Sequence, residues 1–122
     1  MDFRNIYREL RATHRDAPAK FEEVVLGLYV SVLHSGDVAV DCGAHAGKHS
    51  LPMARCVAPD GAVYAFEPIA EKLEVLEAKA ADEGLAYIIH ARNCALGDGP
   101  GRVRFNYVKA APGKSSLHLR QD

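Results

Sequence analysis

Several features are scarce or missing in this chain, and each one excludes a class of protein. Three cysteines in 122 residues, with no secretory leader after Met1, are too few for a disulfide scaffold, so we expect reduced thiols in a cytoplasmic protein. No apolar run is long enough to span a membrane. A formal net charge of −1 argues against nucleic acid as a partner, since the phosphate backbone binds basic surfaces.

What is present is the composition of an ordinary globular domain. Hydrophobic residues make up 48% of the chain and charged residues 25%, as in typical soluble domains. A chain of this length buries roughly two-thirds of its unfolded surface on folding. We expect residues 1–35 to be an N-terminal helical segment and residues 36–122 to be an α/β domain.

Apolar residues at helical spacing predict two helices in the N-terminal segment. The first covers residues 3–16 and is broken by the sequence around Pro18. The second ends at Ser35-Gly36, and it carries an apolar stripe with no missing position: Phe21, Val24, Val25, Leu28, Tyr29, Val32 and Leu33.

Strands and helices alternate after this segment, which predicts a parallel sheet with flanking helices. The run Val38–Val40 indicates a central strand that is apolar on both faces. The pattern continues with a helix over residues 47–57, a strand over 62–66, a helix over 69–83 and a strand over 87–90. Residues 93–101 have turn composition, and the alternation over 103–107 predicts a further strand with 116–119 as its hairpin partner.

Two acidic residues end neighbouring strands, where ligands of parallel sheets bind. Glu67 ends the second strand, and its carboxylate can accept both ribose hydroxyls of an adenosine. Asp41 ends the first strand, and we predict that it faces a cationic amino group and a sulfonium. Gly43 and Gly47 let the backbone approach a ligand and a helix pack on the strand, and the free N–H groups of that helix suit a carboxylate.

The phosphate-binding signatures of other nucleotide sites are missing from this turn. Gly43-Ala44-His45 breaks the Gly-x-Gly-x-x-Gly pattern of dinucleotide sites, and Gly47-Lys48-His49 lacks the hydroxyl of a P-loop. Asp41 would also repel a phosphate. S-adenosylmethionine contains no phosphate and fits best, while a dinucleotide-dependent oxidoreductase is the least favoured hypothesis.

Several segments resemble the FkbM-type methyltransferases. Residues Asp41 to Ser50 are similar to the family motif Asp-Val-Gly-Ala-Asn-x-Gly-x-x-Ser, and Gly61 to Pro68 match its second motif closely. Residues 93–98 (Asn-Cys-Ala-Leu-Gly-Asp) match the family's Asn-x-Ala-Leu-Gly-Asp segment, and 115–117 resemble a later feature. These motifs stand in the family's order over residues 36–117.

The resemblance implies a Rossmann-like class I methyltransferase fold, S-adenosylmethionine as cofactor, and O-methyl transfer to a small molecule such as a sugar or natural product. Asn93, Ala95 and Leu96 would line the adenine end of the site. Neither the residues nor the resemblance names a general base. The predicted cofactor-binding residues are Asp41, Gly43, Ala44, His45, Gly47, Glu67, Pro68, Asn93, Ala95 and Leu96.

The chain departs from the family pattern in two ways. His45 stands where the family usually has Asn, so an imidazole must make that hydrogen bond to the cofactor or the bond is lost. The family's later strands have no counterpart before Asp122, so we expect a fold truncated after the third core strand and a hairpin. The open apolar edge of the first strand would then favour a homodimer.

Simpler interpretations stay open beside these. His45 and His49 lie four residues apart near Cys42, but no intervening Glu and no fourth ligand accompany them, so we predict no metal. One simpler role of Glu67 is to cap the next helix. For the whole chain, the alternative to an active enzyme is a non-catalytic cofactor-binding module.

Overall fold

The computed structural model describes residue 8, residues 18–111 and residues 115–116. Helices and strands alternate within this part of the chain: α1 (Pro18–Val32), β1 (Val38–Cys42), α2 (Ser50–Val57), β2 (Ala62–Phe66), α3 (Ala70–Asp82) and β3 (Ile89–Arg92). The helix predicted over residues 3–16 lies outside the described residues, apart from Arg8. None of the described helices is long and apolar enough to cross a membrane.

The three strands form one parallel sheet with β2 in the middle. Asp41 of β1 pairs with Ala65 of β2, and Ala65 pairs in turn with Ala91 of β3. Because the strands are parallel, their carboxyl ends meet at one edge of the sheet. The predicted α/β architecture with a parallel sheet and flanking helices is confirmed.

The core lies where α2 and α3 pack against the sheet. Ala54 and Val57 of α2, Val63 and Ala65 of β2 and Leu76 of α3 are all 0% exposed. Fully burying a valine or leucine side chain contributes about 1.5–3 kcal/mol to stability. This region therefore supplies most of the apolar burial in the described part of the chain.

The third strand was predicted over residues 87–90 and begins two residues later. Gly84 ends α3 at φ 70°, and the turn that follows continues as far as Ile88. The carbonyl oxygen of Leu85 accepts hydrogen bonds from the N–H groups of Ile88 (2.9 Å) and Ile89 (3.2 Å). Tyr87 consequently lies in this turn and is 61% exposed. The apolar run that predicted a strand is partly a buried turn.

α2 also begins later than the predicted start at residue 47. Gly47 has φ 86°, which no residue of a right-handed helix adopts, so the helix begins only at Ser50. Residues 48 and 49 form turns in the loop that connects β1 to α2. The family-like motif is therefore mostly loop.

The predicted hairpin after residue 101 is reduced to a single antiparallel bridge within the described residues. Asn106 and Ser116 exchange backbone hydrogen bonds of 2.9 and 3.3 Å. Val103 is 67% exposed and belongs to no strand. The strand predicted over residues 103–107 was therefore wrong, because alternation does not form a strand without a neighbour to pair with. Residues 117–119 lie outside the described residues.

α1 and β1 are less buried than their apolar residues predict. Tyr29 is buried and Leu33 packs against the core, but Val24 and Val32 of the predicted stripe are 36% and 46% exposed. Within the described residues β1 pairs with β2 only, and Val38 is 64% exposed. The strand predicted to be central is an edge strand in this part of the chain.

Candidate functional site

A cavity of about 810 Å³ opens at the carboxyl ends of β1 and β2. Small-molecule sites typically enclose roughly 300–1,000 Å³, so this cavity is large enough for a nucleoside cofactor. It lies at the edge of the sheet where parallel α/β proteins bind ligands. Its walls come from α1, from the loops that follow all three strands, and from the bridge region: Glu22, Cys42, Gly43, Ala44, His45, Lys48, His49, Phe66, Glu67, Pro68, Ala95, Leu96, Phe105, Ser115 and Ser116.

The loop after β1 is held against the end of β2 by its backbone. The N–H groups of Gly43 and Ala44 both donate to the carbonyl oxygen of Phe66, at 2.8 and 3.0 Å. Gly43 has φ 83°, and a Cβ added there would meet no atom within 4 Å. The requirement for glycine at this position is therefore conformational rather than steric. The open space beside it is available to a ligand.

Glu67 connects the loop after β1 to the segment that precedes α3. Its carboxylate accepts one hydrogen bond from the N–H of His45 and one from the N–H of Ile69, both at 2.8 Å. The residue is 4% exposed and still lines the cavity. Each carboxylate oxygen keeps a second lone-pair direction, so two further donors such as ribose hydroxyls can be accepted.

The simpler role considered for Glu67 is present as well. Ile69 is the N-cap residue of α3, and its N–H is satisfied by the Glu67 carboxylate. This contact fixes the orientation of the carboxylate before any ligand arrives. Glu67 therefore holds the start of α3 and lines the cavity at the same time.

His45 occupies the left-handed region of backbone conformation at φ 48°. Asparagine and histidine are among the non-glycine residues that adopt this region most readily. In this conformation the His45 N–H points at Glu67, and the residue lines the cavity. The position therefore needs a residue that tolerates positive φ.

Asn93 lies behind Glu67 rather than in the cavity wall. Its Nδ2 donates to the backbone carbonyl of Glu67 at 2.9 Å, while the N–H of Glu67 donates to the carbonyl of Arg92 at 3.1 Å. Ala95 and Leu96, which follow it, do line the cavity, and Leu96 is 50% exposed. Asn93 thus holds the end of β2 in place while its neighbours offer apolar surface.

Two other predicted residues, Asp41 and Gly47, also lie outside the cavity wall. Asp41 accepts a hydrogen bond of 2.6 Å from the hydroxyl of Ser50, which is 0% exposed. At Gly47 an added Cβ would lie 2.5 Å from Leu76 Cδ1, so the glycine allows α3 to approach the loop. The structure brings the remaining predicted residues, Gly43, Ala44, His45, Glu67, Pro68, Ala95 and Leu96, together around the cavity.

A polar cluster in the cavity wall was not predicted from the sequence. His49 lies between two residues of α1: its Nδ1 is 3.1 Å from the Tyr29 hydroxyl, and its Nε2 is 3.1 Å from Glu22 Oε2. Lys48 Nζ is 3.3 Å from the same Glu22 oxygen. Burial, and next the negative charge of Asp41, raise the pKa of Tyr29, so its phenol stays protonated at neutral pH.

This cluster also borders a second cavity of about 190 Å³, with Glu23, Leu26 and Tyr29 among its other lining residues. Glu22, Lys48 and His49 line both cavities. Helical spacing places Glu22 and Tyr29 on one face of α1, but nothing in the local sequence shows that this face meets residues 48–49. The cluster depends on tertiary packing of α1 against residues 48–49, which directly precede α2.

Metal-ligand chemistry is sparse in this part of the molecule. Among the residues that the structure describes, no group of three or more His, Cys, Asp and Glu side chains is placed to hold a metal ion. Cys42 lines the cavity as a free thiol, and Cys56 and Cys94 are also unpaired. Of the two histidines in the cavity wall, His49 contacts Tyr29 and Glu22 through its ring nitrogens, whereas His45 contacts Glu67 through its backbone N–H.

The comparisons with known proteins concern the fold. No family model matches the sequence, and no curated protein is significantly similar to it. Among solved structures, an S-adenosylmethionine-dependent O-methyltransferase from Thermotoga maritima superposes with a TM-score of 0.58 at 21% identity, over 71% of this chain and 32% of that one. Geranyl diphosphate methyltransferase, solved in complex with S-adenosylmethionine, superposes with a TM-score of 0.52 at 18% identity, over 70% and 40% of the two chains.

A third structure of similar fold is the [4+2]-cyclase SpnF, with a TM-score of 0.52 and 18% identity over 68% of this chain and 30% of that one. The chain spans less than half the length of each of these structures. At such identities the similarity shows the fold alone: a Rossmann-like α/β fold of the class I methyltransferase type. Proteins that share a fold often catalyse different reactions, so the fold does not identify the reaction of this chain.

Proposed function

We propose that this chain is the cofactor-binding portion of an S-adenosylmethionine-dependent methyltransferase. The observation that carries the proposal is the fixed carboxylate of Glu67 at the end of β2, which lines a cavity large enough for the cofactor. A carboxylate at this strand end is the group that recognises the two ribose hydroxyls of a nucleoside.

The volume and the lining residues of the cavity support adenosine as the bound group. Glu67 would accept the ribose hydroxyls, and Pro68, Ala95 and Leu96 would supply apolar surface for the adenine ring. The backbone from Gly43 to His45 would pass close to the sugar, since Gly43 has no side chain there. The bound cofactor would supply an electrophilic methyl group, and the chain would hold the acceptor oxygen in line with it.

Positioning is the main catalytic contribution that such a site makes. Holding two reactants in the correct geometry can lower the barrier by roughly 7–11 kcal/mol. We propose a hydroxyl of a small molecule, such as a sugar or natural product, as the acceptor. The support for this acceptor, and for the FkbM type, is the sequence resemblance over residues 36–117. No residue is assigned as general base.

A non-catalytic cofactor-binding module is the second candidate function. It is favoured by the exposure of β1, where Val38 and Val40 are 64% and 55% exposed, because the described residues leave this part of the fold without a covering element. Assays of methyl transfer from labelled cofactor to a broad panel of hydroxyl compounds distinguish the two. Transfer supports the enzyme, whereas cofactor binding without any transfer supports the module.

Calorimetric titration with S-adenosylhomocysteine tests the proposal before an acceptor is known. We expect the wild-type chain to bind S-adenosylhomocysteine and not NAD, and Glu67→Gln to weaken binding ~10-fold or more through loss of charge-assisted hydrogen bonds. Glu74→Gln, an exposed position on α3, is the matched control and should bind like wild type. Preferential binding of NAD, or full affinity in Glu67→Gln, would reject the proposal.

A further inference from the structure

The strand-end carboxylates do not complete a site for a whole S-adenosylmethionine molecule. The cofactor ends in an amino acid that carries both an ammonium and a carboxylate. Asp41 was predicted to face the ammonium, but its carboxylate accepts the Ser50 hydroxyl at 2.6 Å and does not line the cavity. Because Ser50 is fully buried at the first turn of α2, this contact fixes the start of the helix. Another group has to meet the ammonium.

A pair of opposite charges does line the cavity, and it comes from a different part of the fold. Glu22 of α1 and Lys48 of the loop before α2 approach to 3.3 Å between Oε2 and Nζ. Their side chains are 39% and 68% exposed, so solvent and ligands reach both. A neighbouring carboxylate and ammonium are the complement of a zwitterionic amino acid.

The bonding of Glu22 is incomplete in the structure. Oε2 is enclosed by His49 and Lys48, yet neither contact has the alignment of a hydrogen bond. Oε1 accepts no hydrogen bond from the described residues. Because Oε2 is enclosed while the Glu22 side chain is 39% exposed, Oε1 is the oxygen that can accept a new donor without giving up an existing hydrogen bond.

We propose that Glu22 and Lys48 bind the amino-acid end of the cofactor, a subsite that rests on the proposed function. Glu22 accepts hydrogen bonds from the ammonium, and Lys48 donates to the carboxylate. His49, held from the other side by the Tyr29 hydroxyl at 3.1 Å, positions the Glu22 carboxylate. α1 thereby closes one end of a site whose other end is Glu67.

Two ligands that share the adenosine separate this subsite from the adenosine site. S-adenosylhomocysteine has the amino-acid end, whereas 5′-methylthioadenosine lacks it. In calorimetric titrations we expect Glu22→Gln and Lys48→Met each to weaken S-adenosylhomocysteine ~10-fold or more, because each removes a charge-assisted contact. Neither substitution should change the affinity for 5′-methylthioadenosine by more than about two-fold.

Glu23→Gln is the matched control, because Glu23 is an exposed acidic neighbour on α1 that borders only the smaller cavity. It should bind both ligands like wild type. Asp41→Asn should lower the unfolding temperature through its contact with Ser50, yet keep the wild-type ratio of the two affinities. Circular dichroism melts of every variant establish that each one is folded at the temperature of the titration.

The outcomes separate this subsite from the proposed function. Wild-type affinity for S-adenosylhomocysteine in Glu22→Gln and Lys48→Met, with both ligands weakened in Glu67→Gln, would overturn the subsite and leave the cofactor site intact. A selective loss of S-adenosylhomocysteine in Asp41→Asn would also overturn it. Failure of the wild-type chain to bind either ligand would instead reject the proposed function.

Discussion

The two sides of β2 differ sharply in how completely they are buried. On the side of α2, α3 and β3, Ala54, Val57 and Leu76 are 0% exposed. On β1, Val38 and Val40 remain 64% and 55% exposed, because they share a face of the sheet with Tyr64, whereas Ala39 on the other face packs against the core. The carboxylate that would hold the ribose belongs to the closed side. The difference indicates that the core between β2, α2 and α3 is closed, whereas one face of β1 is open within the described residues.

The two faces of β2 show the same contrast. Val63 and Ala65 are fully buried, whereas Tyr64 between them is 39% exposed and stacks on His90 at 5.0 Å between ring centroids. Strands of parallel sheets are normally covered on both faces. Within the described residues, only the face under α2 and α3 has that cover.

The largest expected effect comes from shortening the same side chain on the two neighbouring strands. Val63→Ala should lower the free energy of unfolding by about 2–3 kcal/mol, because it empties space in a packed core. Val40→Ala should change it by no more than about 0.5 kcal/mol, since that side chain is mostly exposed. Urea denaturation of both variants measures the difference. Equal losses of unfolding free energy in the two variants would show that Val40 is covered in solution.

A second pair of substitutions compares two glycines of the loop after β1. Gly47→Ala combines strain at φ 86° with a Cβ lying 2.5 Å from Leu76, so we expect a loss of about 2–3 kcal/mol. Gly43→Ala meets no atom within 4 Å and should cost about 1–2 kcal/mol for its positive φ alone. If chemical denaturation ranks the two in the opposite order, the close packing of α3 on this loop is incorrect.

We propose that the open edge of β1 pairs with a second copy of the chain. An exposed apolar edge strand favours pairing with another strand. Sedimentation equilibrium should detect dimers, and Val40→Lys should weaken the association by ~10-fold or more. Tyr87→Lys is the control, because Tyr87 is 61% exposed and lies just before β3, the strand at the opposite edge of the sheet. Unchanged association in Val40→Lys would place any interface elsewhere.

The smallest expected effect concerns an ion pair on the closed side. Arg55 donates two hydrogen bonds to the Glu83 carboxylate, at 2.8 and 2.9 Å, and these lower the pKa of Glu83. Because the pKa is lower in the folded state, the contribution to stability is present above the unfolded pKa and is lost as the pH falls through the folded one. Glu83→Gln should therefore lower the unfolding temperature slightly at pH 7 and not at pH 2.

The local pattern of the sequence predicted β2 and α3 well. The strand over 62–66 and the buried face of α3 follow directly from short apolar runs and helical spacing. β3 was displaced because Leu85 and Ile88 are buried in a turn, and an apolar run does not distinguish a buried turn from a strand.

The sequence predicted the parts of the candidate site that depend on strand ends. It did not predict the parts that depend on tertiary contacts. Glu67 and the backbone after β1 come together because parallel strands share one edge. Whether Asp41 faces the cavity or Ser50 is decided by side-chain direction, which spacing does not specify. The approach of Glu22 to Lys48 joins residues of two elements, and no local pattern encodes it.

Hydrogen–deuterium exchange with and without S-adenosylhomocysteine tests the central claim most directly, because it reports the adenosine site and the open side in one experiment. The ligand should protect the loop after β1 (residues 43–45), the segment after Glu67 and residues 95–96. The amides on the outer edge of β1 should remain as fast as in the free protein. No protection at Gly43–His45 and Glu67–Ile69, or protection confined to the edge of β1, would contradict a cofactor site built on the closed side of the sheet.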